Sequence, residues 1–563
     1  MKQGKRGVKN TNSRGPFLKN LIIVVIIMLF IVMAYKIAPD YIRKTSKSEY
    51  NLIINNNNVT LTDSMKNAIV FGDKDVIYLS KQDIQNFFDK YIYYDEKYDQ
   101  IITTSDTKVA TLEYNKNEMT VNGSTETILG GMMKKGDITY LPFSEMGEVY
   151  NVEIKYIPQT KTITVDSMDR ELFKADCNKN TNVKLFPKTL SGTVQKIKKG
   201  ENVIWISSKD GWTKIRTEDG KIGYVKDNAL SNKITIRENM EEEKKQEEKI
   251  SLFWDYYKRA GNAPDRTGES YEGINVVSPT FFALQEKGKG NIIDKAGDSG
   301  KKYIQWAKSN QYEVWALVSN ESMIDTTREI MQDYKLREKT INGIVTAAVQ
   351  YKLDGINLDF ENMYEEDKDL YTQFVVELYP RLKDIGVTLS VDVTAPDGGS
   401  TWSMCFDRYA LSENCDYLVF MAYDQYGISS KEPGTTAGFD WVKVSLNKFL
   451  RDIPGEKIIL GVPFYTREWK TQNGESTSLT VSMKKQEEVI PDNVEKKWDD
   501  DLKQYYVDYN ENGIRYQMWM EEENSIKAKL ELVKQNNLAG AAYWKKDDEK
   551  QEIWGIIKQE LGL

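Results

Sequence analysis

The 563-residue sequence contains no histidine and only three cysteines. Without histidine, Ser-His-Asp and Cys-His catalysis and histidine-ligated zinc are excluded. The cysteines, at positions 177, 405 and 415, are odd in number and form no CxxC pair, so no disulfide framework is predicted. We expect them to be small, partly buried hydrophobic residues. Any acid and base chemistry must therefore come from carboxylates.

Positive charge is also in short supply. The 77 Lys and Arg residues are outnumbered by 85 Asp and Glu residues, which gives a net charge of -8. Nucleic acid requires a basic surface on its partner, so we exclude it as a main partner. With 40% hydrophobic and 29% charged residues, the composition is typical of globular proteins. The length predicts several domains.

The N-terminus combines a basic segment, residues 1–20, with an apolar run over residues 21–38. A helix of that length just crosses the hydrocarbon of a bilayer, and its basic flank is expected to stay in the cytoplasm. A cleaved signal peptide shares these two regions, but no small-x-small cleavage site stands clearly after the run. We therefore predict an uncleaved transmembrane anchor. The protein is then a single-pass cell-membrane protein with a cytoplasmic N-terminus and extracytoplasmic C-terminal domains.

Residues 50–170 contain an internal repeat. Asp75–Leu79 (DVIYL) recurs as Asp137–Leu141 (DITYL), and Tyr94 recurs at the same offset as Tyr156. Each half reads as a strand, a short helix and a hairpin strand, which predicts a duplicated α+β unit. This arrangement resembles the copper amine oxidase N-terminal-like domain of secreted bacterial proteins, with no copper site here. The resemblance implies a spacer or wall-adhesion module rather than a catalyst.

Residues 175–232 read as short alternating strands separated by KKG, KDG and EDG turns. Three elements carry a resemblance to the bacterial Src-homology-3-like domain (SH3-like domain), a small all-β barrel: NVK at 182–184, GWTKI at 211–215 and DGKIGYV at 219–225. The resemblance implies binding of cell-wall peptide. Alternatively, Trp212 and Tyr224 simply fill the core of a small barrel.

The C-terminal region, residues 250–563, follows a charged linker over residues 233–249. It contains eight strand-like apolar runs with amphipathic, helix-spaced stretches between them: ISLFWDYY, INVVSPTFFAL, YEVWALVSN, GINLDFEN, VTLSVDVTAP, YLVFMAYDQ, KIILGVPFY and LAGAAYW. Eight such βα repeats predict a (β/α)₈ TIM barrel. The connection between the seventh and eighth runs, residues 466–537, is long enough to hold a small α+β insertion.

The fourth run contains DGINLDFEN, residues 354–362. The two-residue period of a strand places Asn357, Asp359 and Glu361 on one face and apolar residues on the other. In a parallel barrel, the inward face near the C-terminal mouth is where catalytic groups collect. A half-buried antiparallel strand with a solvated polar face is the alternative, and the local pattern alone favours it.

Four elements in order resemble glycoside hydrolase family 18, the chitinase-like family. They are DGINLDFE for the family signature D-G-x-x-x-D-x-E, MAYD at 421–424, PFYTREW at 463–469 and the tryptophan at 544. The resemblance implies a glycosidase that cleaves β-1,4 bonds after N-acetylglucosamine and needs neither metal nor cofactor. The wall-associated modules point to the branch that acts on peptidoglycan, which includes spore-cortex-lytic N-acetylglucosaminidases. Peptidoglycan, spore cortex and chitin stay open as substrates, as do endo and exo action.

The spacing of the two carboxylates bears on the mechanism. Asp359 and Glu361 leave one strand on the same side, about 6.5 Å apart, so they do not easily flank a sugar as nucleophile and acid. Family 18 instead uses the substrate's 2-acetamido group as the nucleophile. The resemblance makes Glu361 the general acid and later the base, Asp359 the group that orients the acetamido group, and Tyr423 its hydrogen-bond donor. It assigns substrate binding to Asn357, Asp424, Met421, Tyr465, Arg467 and Trp544.

Two positions depart from the family pattern. Asn357 stands where the family has aspartate, and we expect it to hydrogen-bond Asp359 and leave that carboxylate ionised. Thr466 stands where the family has glycine. Asp392 on the fifth strand either faces the cavity or is ion-paired. On the first strand, sugar platforms and ordinary packing both remain open for Phe253, Trp254 and Tyr256.

Two other functions remain open. Chitinase-like lectins use the same barrel to bind glycan without cleaving it, although they usually lose the acid that Glu361 supplies here. A wall-adhesion protein in which the barrel matters little is the second alternative.

Overall fold

The computed structural model describes residues 23–28, 49–61, 64–238 and 248–563. The chain divides into two compact units, and both are discontinuous in sequence. The first combines Met1–Phe87 with Met133–Glu242, and the second combines Phe88–Met132 with Glu243–Leu563.

The second unit is built on a closed parallel barrel. Its eight strands are β1 (Ile250–Asp255), β2 (Val276–Pro279), β3 (Glu313–Ser319), β4 (Gly355–Asp359), β5 (Thr388–Val393), β6 (Tyr417–Met421), β7 (Ile458–Pro463) and β8 (Gly540–Trp544). Each strand pairs in parallel with the next, and β8 pairs with β1 to close the ring. The predicted TIM barrel is confirmed, with all eight strands in the predicted runs.

Helices cover the outside of the barrel. They are α1 (Gly297–Ser309), α2 (Ile324–Gln332), α3 (Tyr334–Tyr351), α4 (Lys368–Asp384), α5 (Arg408–Glu413), α6 (Phe439–Phe449), α7 (Glu523–Gln535) and α8 (Ile553–Leu561). The outward side chains of β4, Ile356 and Leu358, belong to the hydrophobic cluster between strands and helices. A second cluster, which includes Trp254, Trp315 and Val419, fills the barrel interior. Strands buried on both faces explain the nearly continuous apolar runs.

Two additions decorate the barrel. A hairpin of Phe282–Leu284 and Ile292–Asp294 follows β2. Between β7 and β8 lies a five-stranded antiparallel sheet, formed by Tyr465–Gln472, Glu475–Ser482, Lys497–Asp499, Gln504–Glu511 and Ile514–Met520. An α+β insertion is predicted here, but within this sheet segment the helical content is a single 3₁₀ turn, Met483–Lys485. The predicted connection, residues 466–537, also contains the helix α7.

A second five-stranded sheet in this unit comes from far upstream. Its strands are Tyr93–Asp95, Gln100–Thr104, Val109–Glu113, Glu118–Val121 and Ser124–Thr127. The Tyr98 hydroxyl donates to Asp333 Oδ2 at 3.0 Å, just before α3, and Asn122 Nδ2 donates to Asp384 Oδ2 at 3.0 Å, at the end of α4. Ile102 and Val109 pack against Tyr334. Part of the predicted 50–170 domain therefore packs on the barrel helices.

The first unit holds the rest of the duplicated region. The repeated strands Ile77–Ser80 and Ile138–Leu141 pair with each other in antiparallel fashion, in a sheet completed by Val70–Phe71 and Met133–Lys135. Helix Lys81–Phe87 follows the first repeated strand. The other sheet of this region is formed by Asn51–Ile54, Asn57–Asn58, Val152–Ile157 and Thr162–Ser167.

A seven-stranded antiparallel sheet completes the first unit. Its strands are Leu172–Cys177, Thr181–Lys184, Thr193–Ile197, Asn202–Lys209, Trp212–Thr217, Ile222–Lys226 and Leu230–Arg237. Arg216 forms a buried two-point ion pair with Asp166, at 2.8 and 2.6 Å, which joins this sheet to the preceding one. Trp212 is buried in it. The region is all-β as expected, and its SH3-like assignment stays a prediction.

The predicted transmembrane anchor over residues 21–38 is wrong for the part of the chain that the structure describes. Of that run only residues 23–28 are described, and they are helical. No helix among the described residues is long and apolar enough to cross a membrane. The predicted single-pass location is corrected accordingly. The basic segment 1–20 and residues 239–247 of the predicted linker lie outside the described residues.

Candidate active site

A cavity opens at the C-terminal ends of the barrel strands. Its lining consists of Trp254, Asp359, Glu361, Asp392, Trp402, Met421, Tyr423, Asp424, Tyr465 and Trp544. Seven of the nine predicted site residues are in this set, and Asn357 and Arg467 are not. Within the described part of the chain, no group of three or more carboxylates or cysteines is arranged to hold a metal ion.

Glu361 lies just beyond the end of β4, where regular strand pairing has stopped. The side chain of Asn320, which follows β3, hydrogen-bonds the backbone of Glu361 in place of a strand partner. The backbone N–H of Glu361 donates to Asn320 Oδ1 at 3.0 Å, and Asn320 Nδ2 donates to the Glu361 carbonyl at 2.7 Å. Sequence reasoning missed Asn320, although its place after a barrel strand is a usable signal.

The two carboxyls of the signature are strongly perturbed. Burial raises the pKa of Asp359 to about 7, and the nearby carboxylate of Glu321 adds to the effect. Burial, followed by the carboxylates of Asp359 and Asp424, raises the pKa of Glu361 well above its ordinary value. Glu361 is therefore protonated near neutral pH. The sequence analysis expects an ionised Asp359, but a pKa of about 7 leaves it only partly ionised at neutral pH.

Asn357 lies below the cavity and is fully buried. Its Nδ2 donates to Asp392 Oδ1 at 2.6 Å and to Ser390 Oγ at 3.0 Å. Its Oδ1 accepts from Trp254 Nε1 at 2.7 Å and from Ser278 Oγ at 3.3 Å.

The predicted hydrogen bond from Asn357 to Asp359 is therefore wrong. Two of its hydrogen bonds go to the adjacent strand β5, and the other two go to β1 and β2 across the barrel interior. Residues two apart on one strand lie about 6.5 Å apart, whereas adjacent strands are about 4.8 Å apart. The β5 residues Ser390 and Asp392 are therefore closer to the Asn357 side chain than Asp359 is along the same strand.

Arg467 stands behind the cavity rather than in its wall. It is 4% exposed, and its Nη2 donates to Asp424 Oδ1 at 2.6 Å. The Tyr465 hydroxyl donates to the same oxygen at 2.6 Å, and Arg467 Nε donates to the Tyr426 carbonyl. Arg467 therefore neutralises and orients Asp424, and its predicted direct contact with substrate is not supported by its position.

Aromatic rings form much of the remaining wall. The ring of Trp544 lies 5.7 Å from that of Trp254 and 5.9 Å from that of Tyr256. Trp402, on a short π-helical segment after β5, is 39% exposed. Phe253 points outward into the strand-helix core. Of the three aromatic residues predicted on the first strand, Trp254 and Tyr256 belong to the site region, whereas Phe253 is a core packing residue. Nothing in the sequence pattern marked Trp402.

The remaining predicted residues lie deep in the cavity. Tyr423 follows β6, and burial raises the pKa of its hydroxyl well above the ordinary value, with further contributions from Tyr465, Asp392, Glu361 and Asp359. Its hydroxyl therefore stays protonated. Met421 is the last residue of β6 and is 6% exposed. Both residues line the cavity, where the sequence analysis assigned them to the site.

Comparisons with known proteins agree with this geometry. The family model described as glycosyl hydrolases family 18 matches residues 240–549, and that of the copper amine oxidase N-terminal domain matches residues 51–165. The uncharacterized glycosylase YvbX of Bacillus subtilis (strain 168) is 27% identical over 300 residues, which cover 51% of this chain and 84% of that protein. The cortical fragment-lytic enzyme of Bacillus anthracis is 27% identical over 246 residues, which cover 42% of this chain and 57% of that protein.

Among solved structures, a chitinase from Chromobacterium violaceum ATCC 12472 aligns with a TM-score of 0.50 and 21% identity, over 56% of this chain and 99% of that one. This likeness supports the barrel fold. The first family model covers more than half of the sequence, and its match includes every residue of the cavity wall. The chain is a glycosidase that carries a copper amine oxidase N-terminal-like domain, and it belongs to glycosyl hydrolase family 18.

Proposed function

We propose that this glycosidase hydrolyses β-1,4 bonds after N-acetylglucosamine in cell-wall glycan, with the substrate's own acetamido group as the nucleophile. The observation that carries the proposal is the position of the half-buried, protonated Glu361 beside Asp359 in one aromatic-walled cavity. Each part of the mechanism follows from where the lining groups stand.

The carboxyls are confined to one arc of the barrel. Those in the lining lie on or just after β4, β5 and β6, namely Asp359 with Glu361, Asp392 and Asp424. The walls contributed by β8 and β1 are tryptophans, Trp544 and Trp254. A retaining glycosidase with an enzyme nucleophile needs a second carboxylate about 5–5.5 Å from the acid and on the other face of the sugar. Of the lining residues, none stands opposite Glu361 in that role, and this favours an internal nucleophile.

In the first step, the acetamido oxygen attacks the anomeric carbon while Glu361 transfers its proton to the leaving glycosidic oxygen. The glycosidic bond breaks and an oxazolinium ion forms. Asp359, in its ionised form, accepts a hydrogen bond from the acetamido N–H and offsets the positive charge. The Tyr423 hydroxyl, which stays protonated, donates to the acetamido oxygen and orients it for attack.

In the second step, the Glu361 carboxylate removes a proton from water, whose oxygen attacks the anomeric carbon and reopens the ring. Two inversions at this carbon retain its configuration. The raised pKa of Glu361 suits both roles, because a catalytic acid performs best when its pKa lies near the working pH.

Two observations support a wall glycan as the substrate. The mechanism requires a 2-acetamido sugar, and the N-acetylglucosamine of wall glycan is one. The rings of Trp544, Trp402 and Tyr256 present flat apolar surfaces of the kind that pack on pyranose faces. Relatives named as cortical fragment-lytic enzymes favour peptidoglycan over other N-acetylglucosamine polymers.

The test measures reducing ends released from purified peptidoglycan sacculi by the full chain and by Glu361→Gln. We expect the variant to lose about 10²–10⁴-fold in rate, the usual contribution of a general acid. Glu365→Gln makes the same change at an exposed position four residues further on and should retain full activity. An unchanged rate in Glu361→Gln would refute the assignment of the acid.

Substrate assistance has a separate test. Chemical removal of the N-acetyl groups from the sacculi removes the internal nucleophile, and hydrolysis by the wild-type chain should then stop. Continued cleavage of deacetylated glycan would contradict this mechanism. Binding of sacculi by the wild-type chain without any release of reducing ends would instead favour a glycan-binding protein on the same barrel.

A further inference from the structure

Asp392 is a third carboxyl beside Asp359 and Glu361 that the proposed mechanism does not use. It is 1% exposed, lines the cavity and lies on β5 next to β4. Leu358 and Val391 are paired in register across these strands, so Asp359 and Asp392, one residue further on each, are lateral neighbours. Adjacent strands are about 4.8 Å apart, and the two side chains project to the same face.

Asn357 determines which oxygen of Asp392 is free. The indole N–H of Trp254 can only donate, so Asn357 must present Oδ1 to it. The Asn357 Nδ2 group then points toward β5 and donates to Asp392 Oδ1 at 2.6 Å. With that oxygen occupied as an acceptor, Oδ2 of Asp392 is left to interact with its surroundings.

One oxygen of Asp359 lacks a hydrogen-bond donor among the described residues. Its Oδ1 is buried and has no hydrogen-bond partner among the described residues. A buried carboxylate oxygen without a donor is costly, and such an atom in a native structure calls for an explanation. No lysine or arginine belongs to the cavity lining, so no cationic side chain of the lining serves as the donor.

Five titratable groups surround the pair. Glu361 and Tyr423 share the cavity, Glu321 approaches Asp359 from the loop after β3, and Tyr371 on α4 and Cys405 after β5 lie close by. Burial raises the pKa of Asp392 well above its ordinary value, and the carboxylates of Asp359 and Glu361 raise it further, against the opposing Asn357 hydrogen bond. Asp392 therefore carries its proton at neutral pH.

We propose that Asp392 is a positioning residue that remains the neutral acid and donates its Oδ2 hydrogen to Oδ1 of Asp359. This bond holds the Asp359 carboxylate in one orientation and leaves Oδ2 of Asp359 for the acetamido N–H of the sugar. The proton stays on Asp392 throughout, so the balance of the hydrolysis is unchanged. The inference rests on the proposed function, since it assigns Asp392 to the same reaction.

The test compares Asp392→Asn with Asp392→Leu in the full chain, with an aryl glycoside of an N-acetylglucosamine disaccharide as substrate. The asparagine can accept from Asn357 and still donate to Asp359, so kcat and the pH profile should stay close to wild type. The leucine removes the donor. Its kcat should fall about 100-fold, the cost of a misplaced catalytic group, with little change in KM.

The acidic limb of the pH profile of kcat/KM follows the ionisation of Asp359. The direction in which this limb shifts shows whether Asp392 is neutral or ionised. A donor to a carboxylate lowers its pKa, whereas a negative neighbour raises it. Loss of a neutral donor in Asp392→Leu should therefore move the limb to higher pH. A limb that moves to lower pH in either variant would show that Asp392 is ionised and would overturn the proposal. Equal loss of kcat in both variants would also overturn it.

Two further variants keep the result decisive. Tyr371, whose hydroxyl also has no partner among the described residues, is the competing donor, and a Tyr371→Phe variant that raises the acidic limb would refute the role of Asp392. If Asp392→Leu does not fold, Asp392→Asn alone tests the proposal. The acidic limb of its kcat/KM profile stays at the wild-type pH only if Asp392 is neutral in the wild-type chain. Retained activity in Glu361→Gln would instead mean that the proposed function fails, whatever the Asp392 variants show.

Discussion

Replacement of Asn320 by alanine tests how the acid is held in place. The side chain makes four hydrogen bonds in a site that is 1% exposed. Oδ1 accepts from the backbone N–H groups of Glu361 and Ser322, at 3.0 and 3.1 Å. Nδ2 donates to the Glu361 carbonyl at 2.7 Å and to Thr327 Oγ1 at 3.0 Å. Asn320→Ala removes all four and leaves the backbone around Glu361 without its lateral support.

The magnitude has two parts. Each hydrogen bond contributes about 0.5–1.5 kcal/mol net, so the free energy of unfolding should fall by about 2–6 kcal/mol. The catalytic part is separate: a displacement of about 1 Å of the acid costs about 100-fold in rate, which corresponds to about 2.7 kcal/mol of activation free energy. KM should change little, because Asn320 contacts the backbone of Glu361 and not the sugar.

The assay measures kcat and KM on the aryl glycoside and the free energy of unfolding in urea. Asn275 provides a matched control at the opposite end of the barrel, where it precedes β2. Its Oδ1 accepts from the Ser251 N–H at 2.8 Å, and its Nδ2 donates to the Lys249 carbonyl at 2.9 Å. Asn275→Ala should therefore destabilise the fold without lowering kcat. A wild-type kcat in Asn320→Ala, or an equal loss of kcat in Asn275→Ala, would refute the reasoning.

Three further predictions concern stability. The pKa of Asp359 is about 7 in the folded state, above the value of about 3.9 in an unfolded chain, so the native state binds the extra proton and loses stability as pH rises from about 4 to 7. Asp359→Asn should therefore gain stability relative to wild type at pH 8 but not at pH 4, and an equal difference at both would contradict this. Arg337 and Glu377 form an ion pair at 2.8 Å with both side chains 1% exposed, so Glu377→Ala should cost about 3–5 kcal/mol in urea unfolding; a cost below 1 kcal/mol would count against a buried pair. A chain that begins at residue 240 lacks the sheet of residues 88–132 that packs on Tyr334, and its barrel should melt at a lower temperature than in the full chain. Identical melting temperatures would argue against that packing.

The sequence predicted the two signature carboxylates correctly, but it predicted fewer of the residues that surround them. A strand's period of two is local, so the alternation in residues 354–362 was enough to place Asp359 and Glu361 on the same face of a strand. The eight βα repeats around it then predicted that this face points into the barrel. Tyr423, Asp424, Tyr465 and Trp544 were assigned from the resemblance to family 18, and the structure has all four in the cavity lining.

Three predictions from the sequence differ from the structure. Arg467 alternates correctly on its strand, yet its charge is drawn to Asp424 and it stands behind the wall. The predicted anchor rested on hydropathy and on its basic flank, and no helix among the described residues is long and apolar enough to cross a membrane. The sheet of residues 93–127 belongs with the barrel helices because of side-chain pairs such as Tyr98 with Asp333, and no sequence period reports such pairs.

For this protein, the sequence by itself determined the eight strand-like apolar runs, the order of the family elements and the dependence on carboxylates in a chain without histidine. Only the tertiary structure decided that Asn357 binds Asp392 instead of Asp359, that Asn320 supports Glu361, and that Trp402 joins the wall. The physical reason is closure of the barrel. Periodicity along one strand sets which face a side chain takes, whereas its neighbours across the ring come from strands that are distant in sequence, and their distances exist only once the ring has closed.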